Sequence, residues 1–137
     1  MYEHVNFDTL QGLVLENILI DRTYDEVLYF VTSGGIFKMH HEQDCCESVA
    51  IEDVCGDPRD LVGAFITMAE EAMNDDHGDP SQYDSSTWTF YKIVTPKGDL
   101  TIRWLGTSNG YYSESVGFER HKGAIPKAAV DFTWKQE

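Results

Sequence analysis

Two apolar runs set back to back constrain this chain more than any other feature. Residues 88–95 read WTFYKIVT and residues 100–105 read LTIRWL, both rich in aromatic and β-branched side chains. Such side chains suit a pleated, half-buried surface. Pro96-Lys97-Gly98-Asp99 lies between them. Proline presets φ for a turn, and glycine accepts the positive φ that tight hairpins demand. The two runs are therefore predicted to pair as a β-hairpin.

Further strands follow the same logic. Residues 13–20 (LVLENILI) form a buried strand, and residues 26–32 return beside it after the polar turn 21–25. Ser33-Gly34-Gly35 turns the chain into a third strand over 36–40. Alternation puts Ile36, Lys38 and His40 on one face of it, with Phe37, Met39 and His41 on the other. A fourth strand spans 46–54, with Val49 and Ile51 facing the core and Glu47 and Asp53 in line with them near its ends. Ser108-Asn109-Gly110 marks another turn, after which residues 111–118 (YYSESVGF) alternate as a seventh strand. Residues 1–9 make a polar arm or a short first turn, and 124–134 suit a short helix or an edge strand equally.

One segment breaks the β pattern. Asp57 suits an N-cap, Pro58 the first helical position, and Asp60 the first turn, where negative charge meets the positive end of the dipole. Leu61, Phe65, Met68 and Ala72 then form an apolar stripe widened by Val62, Ile66 and Ala69. A helix is predicted over about 58–73, packed on the sheet. Two features oppose it. Gly63 costs roughly 1 kcal/mol against alanine inside a helix, and Glu70 and Glu71 meet the negative end of the dipole. Residues 74–86 (NDDHGDPSQYDSS) then read as a mobile acidic loop. The loop is not an EF-hand, since its twelfth position is Ser85 where calcium needs a glutamate. The order of four strands, one helix and three strands predicts an α+β fold with a largely antiparallel sheet of about seven strands, in a single domain over 1–137.

Charge narrows the function. Ten Lys and Arg against twenty-four Asp and Glu give a net charge of -14, which repels phosphate backbones and argues against direct nucleic-acid binding. What remains is solubility, a basic protein partner, or mimicry of nucleic acid towards such a partner. No export signal opens the sequence and no apolar run approaches a membrane span of roughly 20 residues. With three cysteines, an odd number, the expectation is free thiols in a reducing cytoplasm.

Potential chemistry concentrates in residues 37–57 (FKMHHEQDCCESVAIEDVCGD), which hold two adjacent histidines and all three cysteines. His40, His41, Cys45 and Cys46 are the right types for zinc. Adjacent residues of an extended chain point to opposite faces, so one member of each pair is the limit. Cys55, His77, His121 or a carboxylate would have to complete the site, and no Cys-x-x-Cys spacing is present. Zinc is the one cofactor these residues suggest, and ordinary packing and hydrogen bonding is the simpler expectation. The candidate catalytic groups are His41, Asp44, Cys45, Cys46 and Glu47. A thiolate there would want positive surroundings, and Asp44 and Glu47 are negative. Cys55, just before the predicted helix, fits a thiolate better by position and a buried small hydrophobe better by type. No phosphate-binding glycine loop, nucleophile elbow or dinucleotide fingerprint occurs.

The run His41-Glu42-Gln43-Asp44-Cys45-Cys46-Glu47, followed by Ile51-Glu52-Asp53 and Gly56-Asp57, resembles a signature of small uncharacterised proteins encoded mainly by bacteriophages. Gly35-Ile36-Phe37-Lys38-Met39-His40 before it and Ala69-Glu70-Glu71 after it are similar too. The resemblance spans about 10–105 loosely and 36–72 closely. It implies a phage accessory protein in the host cytoplasm and implies no activity. The leading expectation is a non-enzymatic protein that binds and inhibits a host protein, itself basic or nucleic-acid-binding. One alternative is a small metal-binding or thiol-dependent enzyme centred on residues 40–47. The other is a self-associating module pairing through strand edges within 88–118.

Overall fold

In the computed structural model, which describes residues 3–76 and 85–134, the chain forms two antiparallel sheets. The first contains β1 (Glu3–His4), β2 (Val14–Asp21), β3 (Val27–Thr32) and β4 (Gly35–His40). The second contains β5 (Ser48–Cys55), β7 (Met68–Asp76), β8 (Ser85–Thr95) and β9 (Gly98–Ser108). Short β6 (Ala64–Phe65), then β10 (Gly117–His121) and β11 (Val130–Asp131), complete the first sheet. Its order is β1-β10-β4-β3-β2-β11, with β6 beside β2; the second runs β5-β9-β8-β7. The hairpin that anchors the sequence is present, with Thr95 opposite Gly98 across Pro96-Lys97.

Alternation sorts each strand into an inner and an outer face. Ile18, Ile20, Leu28, Phe30, Phe37, Met39 and Phe118 of the first sheet are buried in the same cluster as Val49, Ile51, Tyr91, Ile93, Ile102 and Trp104 of the second. Phe7, in the 3₁₀ turn Phe7–Leu10, joins the two. Its ring centroid lies 6.2 Å from Phe30 and 5.1 Å from Phe118 on one side, and 4.8 Å from Tyr91 on the other.

The α+β expectation is overturned, because the helix over 58–73 does not form. The capping is real: Asp57 accepts a hydrogen bond from the Arg59 amide at 3.0 Å, and Pro58 follows it. It serves only the 3₁₀ turn Pro58–Leu61. Gly63 then takes φ +86, which ends any helix. Beyond it a two-residue period wins: Ala64 and Ile66 are buried while Phe65 and Thr67 are exposed. The segment becomes β6 and β7. Glu70 and Glu71, unfavourable at a helix end, sit comfortably on an exposed edge strand, where charge also discourages edge-to-edge pairing.

Other boundaries move as well. Strand β7 runs to Asp76 and β8 starts at Ser85, so both ends of the expected loop over 74–86 are strand, and 77–84, His77 included, lie outside the described residues. The fourth strand starts at Ser48 rather than at 46, and a bulge between Ile51 and Asp53 turns Asp53 outward to an ion pair with Arg103 at 3.1 Å. Residues 111–116 form no strand; the pairing with β4 starts only at Gly117. Of the two options for 124–134, the edge strand is the one seen, as β11 against β2. Strands β8 and β9 are the inner pair of their sheet, so neither offers the free edge that self-association through 88–118 requires.

The outer face of the first sheet is polar in a way no single strand reveals. In register across five strands, Leu19, Tyr29, Lys38, Glu119 and His4 form one row. His40 lies one step along β4 on the same face, which brings it diagonally to Glu119.

Candidate functional site

The row ends in a cleft of about 510 Å3, a size suited to small ligands and side chains. His4, His40, Gly117 and Glu119 form its sheet side, His41, Glu42, Gln43 and Asp44 one wall, and Ser113 and Ser115 the other. Two loops thus frame it, 41–47 leaving β4 and 109–116 entering β10.

His40 and His41 split to opposite faces, as extended chain requires. His40 Nε2 meets Glu119 Oε1 at 2.6 Å, with side-chain exposures of 13% and 8%. His41 turns inward. Its Nε2 meets Glu47 Oε2 at 2.7 Å and its Nδ1 meets the Ser115 carbonyl at 2.6 Å. A carbonyl only accepts, so Nδ1 donates; in the ion-paired state Nε2 donates too, and both nitrogens are spent. His41 thereby ties the two walls together.

Glu47 anchors its own loop. It accepts from the Asp44 amide at 2.9 Å and from the Cys45 amide at 2.9 Å, while Gln43 Nε2 donates to the Glu47 carbonyl at 2.7 Å. Burial pushes the Glu47 carboxyl up, but the Cys45 amide, the His41 ring and the Asp44 and Glu47 amides together outweigh it and hold the group at about 2. It is a carboxylate at every ordinary pH.

Loop 109–116 is held by a second buried acid. Glu114 accepts from Thr87 at 2.7 Å, from Ser85 at 3.3 Å and, more closely, from Ser108. The loop can lie down on β9 only because position 106 has no side chain: a Cβ on Gly106 would sit 2.7 Å from the Glu114 carbonyl oxygen and 2.8 Å from its Cβ. Gly106→Ala is expected to destabilise by about 1–3 kcal/mol, the usual cost of overpacking. Urea unfolding checks this, and a loss below a few tenths of a kcal/mol would refute the close approach.

The cysteines do not behave as the sequence suggests. Cys45 and Cys46 are bonded to each other, where free thiols are expected, and both are exposed. The turn held by Glu47 is not extended, so adjacent side chains there need not diverge. Cys55 is free but exposed at the end of β5, not buried, and a 3₁₀ turn follows it in place of the expected α-helix. The four residues suggested for zinc do not converge: His41 is saturated, His40 pairs with Glu119, and the two sulfurs are bound to each other. His121 is elsewhere, its ring against Tyr29 and its Nε2 3.1 Å from the Ala124 carbonyl. Among the described residues, no group of three or more His, Cys, Asp or Glu side chains is arranged to hold a metal ion.

Of the candidate catalytic residues, His41 and Glu47 are brought together in the wall, Asp44 stands at the cleft, and Cys45 and Cys46 lie on the loop beyond it. Glu119 and His4 are the groups that sequence reasoning misses. Glu119 sits in a run, Phe118-Glu119-Arg120-His121, with no motif about it; only the register of β10 on β4 and β1 discloses its place.

The match to known families decides where this arrangement belongs. Residues 11–118 match the model of a domain of unknown function, DUF7448. The chain belongs to the DUF7448 family. The matched region takes in both framing loops, from the His/Cys run to Phe118, and stops one residue short of Glu119. No curated protein and no solved structure matches the chain. None of the described helices is long and apolar enough to cross a membrane.

Proposed function

We propose that this DUF7448 protein is a non-enzymatic binding module that holds a basic segment of a protein partner against the cleft between loops 41–47 and 109–116. The observation that carries the reading is the charge of the cleft. Glu42, Asp44 and Glu119 line it, no lysine or arginine among the described residues does, and the whole chain bears a net charge of -14. Such a field draws in cationic partners and repels nucleic acid. The internal polar groups of the walls are spent on one another: His41 on Glu47 and Ser115, and Glu114 on three hydroxyls. Walls fastened in this way suit recognition by a preformed surface. The resemblance of residues 36–72 to phage-encoded proteins supports a host protein as the partner, met in the cytoplasm and inhibited by being bound.

Salt and charge reversal test this together. The immobilised protein should retain a basic host protein from lysate at about 50 mM salt and release it near 500 mM, where screening is strong. The double variant Glu42→Lys/Asp44→Lys should not retain it at either. Retention of the same partners by the variant, or retention that ignores salt, rules the reading out.

A further inference from the structure

We propose that Cys45 and Cys46 are a thiol–disulfide exchange site, opened by a dithiol and closed again by the oxidised form of that dithiol, and that the state of the pair sets how firmly loop 41–47 is held. The site stands or falls independently of what the cleft binds.

Three observations carry it. The bond joins neighbours in the chain. In the chain-entropy view a disulfide stabilises a fold by closing a loop, and its contribution grows with the length of that loop. Adjacent residues close the shortest loop a chain allows, so this bond is no staple for the two sheets. Secondly, Cys45 and Cys46 are both exposed, on a turn that lies between buried His41 and buried Glu47. Exposed disulfides are the ones that thiols in solution reach, and they supply the labile and regulatory class. Thirdly, the bonded residues belong to the hydrogen bonding that fastens the wall. The Cys45 amide donates to Glu47 Oε1 at 2.9 Å, and the Asp44 amide donates to Oε2 of the same carboxylate at 2.9 Å. Gln43 Nε2 donates to the Cys45 carbonyl at 3.2 Å and to the Glu47 carbonyl at 2.7 Å. The sulfur bond and these hydrogen bonds therefore select one and the same turn.

Opening the pair is a balanced two-electron exchange. A thiolate of the dithiol attacks one sulfur, the bond between Cys45 and Cys46 breaks, and the other sulfur leaves as a thiolate that takes up a proton. The second thiol of the reductant then attacks the mixed disulfide, which frees the first sulfur to take up a proton as well. The dithiol ends as a disulfide, having lost the two electrons and two protons that the pair gains. Once reduced, the two side chains are free to diverge as those of adjacent residues do in extended chain, and the peptide between them regains conformational freedom. The turn offered to Glu47 is then one of several. Coupling of this kind is reciprocal: the bond favours the hydrogen bonds, and the hydrogen bonds favour the bond.

The full-length protein equilibrated with mixtures of reduced and oxidised dithiothreitol tests this. After alkylation and peptide mapping, Cys55 should be labelled throughout, while Cys45 and Cys46 pass together from unlabelled to labelled as the reduced fraction rises. Hydrogen exchange at the Asp44 and Cys45 amides should be several-fold faster in the reduced protein. The Cys45→Ser/Cys46→Ser variant should show that faster exchange and ignore the dithiol. The urea midpoint should stay nearly where it is on reduction. Gln43→Ala, which removes an exposed side chain, should let the pair open at a several-fold lower ratio of reduced to oxidised dithiol, and Glu47→Gln should do the same where it folds. A pair that is labelled even in oxidised dithiothreitol, or that stays unlabelled in excess reduced dithiothreitol, overturns the exchange site. Exchange at Asp44 and Cys45 that is equal in both states, or an unmoved ratio in Gln43→Ala, overturns its hold on the loop. A large fall in the urea midpoint would make the bond a staple of the fold and overturn the local role.

Discussion

Phe7→Ala is expected to destabilise the protein by about 3–5 kcal/mol, the range for removing a buried phenylalanine ring. That is a large share of the roughly 5–15 kcal/mol that holds a domain of this kind together. The ring is 3% exposed and meets Phe30, Phe118 and Tyr91, so its loss empties space that belongs to both sheets at once. Neither sheet can close the gap alone, because each is fixed by its own ladder of hydrogen bonds. Phe7→Leu, which keeps most of the volume, should cost clearly less. Urea unfolding of the three proteins measures the order. The m value should stay constant if all unfold in one transition. A loss below about 1 kcal/mol for alanine would show that the 3₁₀ turn is peripheral rather than the joint between the sheets.

Sequence alone discloses the strands of this fold more faithfully than the sheets they build. Residues 13–40 and 88–105 are rich in apolar, aromatic and β-branched side chains broken by polar, glycine- or proline-bearing turns, and the structure keeps them nearly as read. The segment 58–73 misleads because two patterns coexist in it. Leu61, Phe65 and Met68 satisfy a helical period, while Ala64 and Ile66 satisfy the strand period that is used. A correct cap at Asp57 adds weight to the wrong choice, since capping a 3₁₀ turn and capping a helix need the same residue. Gly63, Val62, Ile66 and Thr67 are the local signs against a helix, and they are what tertiary packing obeys.

The site divides in the same way. Its loop 41–47 stands out by residue type, and the separation of His40 from His41 follows from alternation. What Glu47 does is hidden, because a carboxylate that caps amides of its own loop looks in sequence like any surface acid. Glu119 is hidden more deeply, being 79 residues from His40. Contacts of that separation depend on the strand order β1-β10-β4, in which a late strand of the chain inserts between its first strand and β4. No local pattern encodes such an order.

Glu47→Gln is expected to lower the unfolding temperature at pH 7 on the order of 10 °C, as loss of one partner from a buried ion pair does in a domain of this size. The carboxylate accepts two backbone amides and the His41 ring. A glutamine in its place has one accepting oxygen and an NH2 group that must face donors. The loss should be visible at the cleft as well, since His41 would no longer hold loop 41–47 to the Ser115 carbonyl. The sign of the pH dependence follows from the depressed carboxyl. Folded Glu47 titrates at about 2, below its usual 4.5, so the unfolded chain takes up the proton first on acidification. The stability that Glu47 contributes is therefore complete above pH 4.5 and drains away as pH falls towards 2. Asp21, held low by Thr23, and Asp57, held low by Arg59, act in the same direction, while burial raises Glu26 and opposes them. The difference between wild type and variant removes those shared contributions. It should shrink steadily as pH falls from 4.5 to 2. Denaturant unfolding of both proteins across that interval reads it directly, and a gap that stays parallel down to the lowest pH would mean that the Glu47 carboxylate does not hold the wall of the cleft.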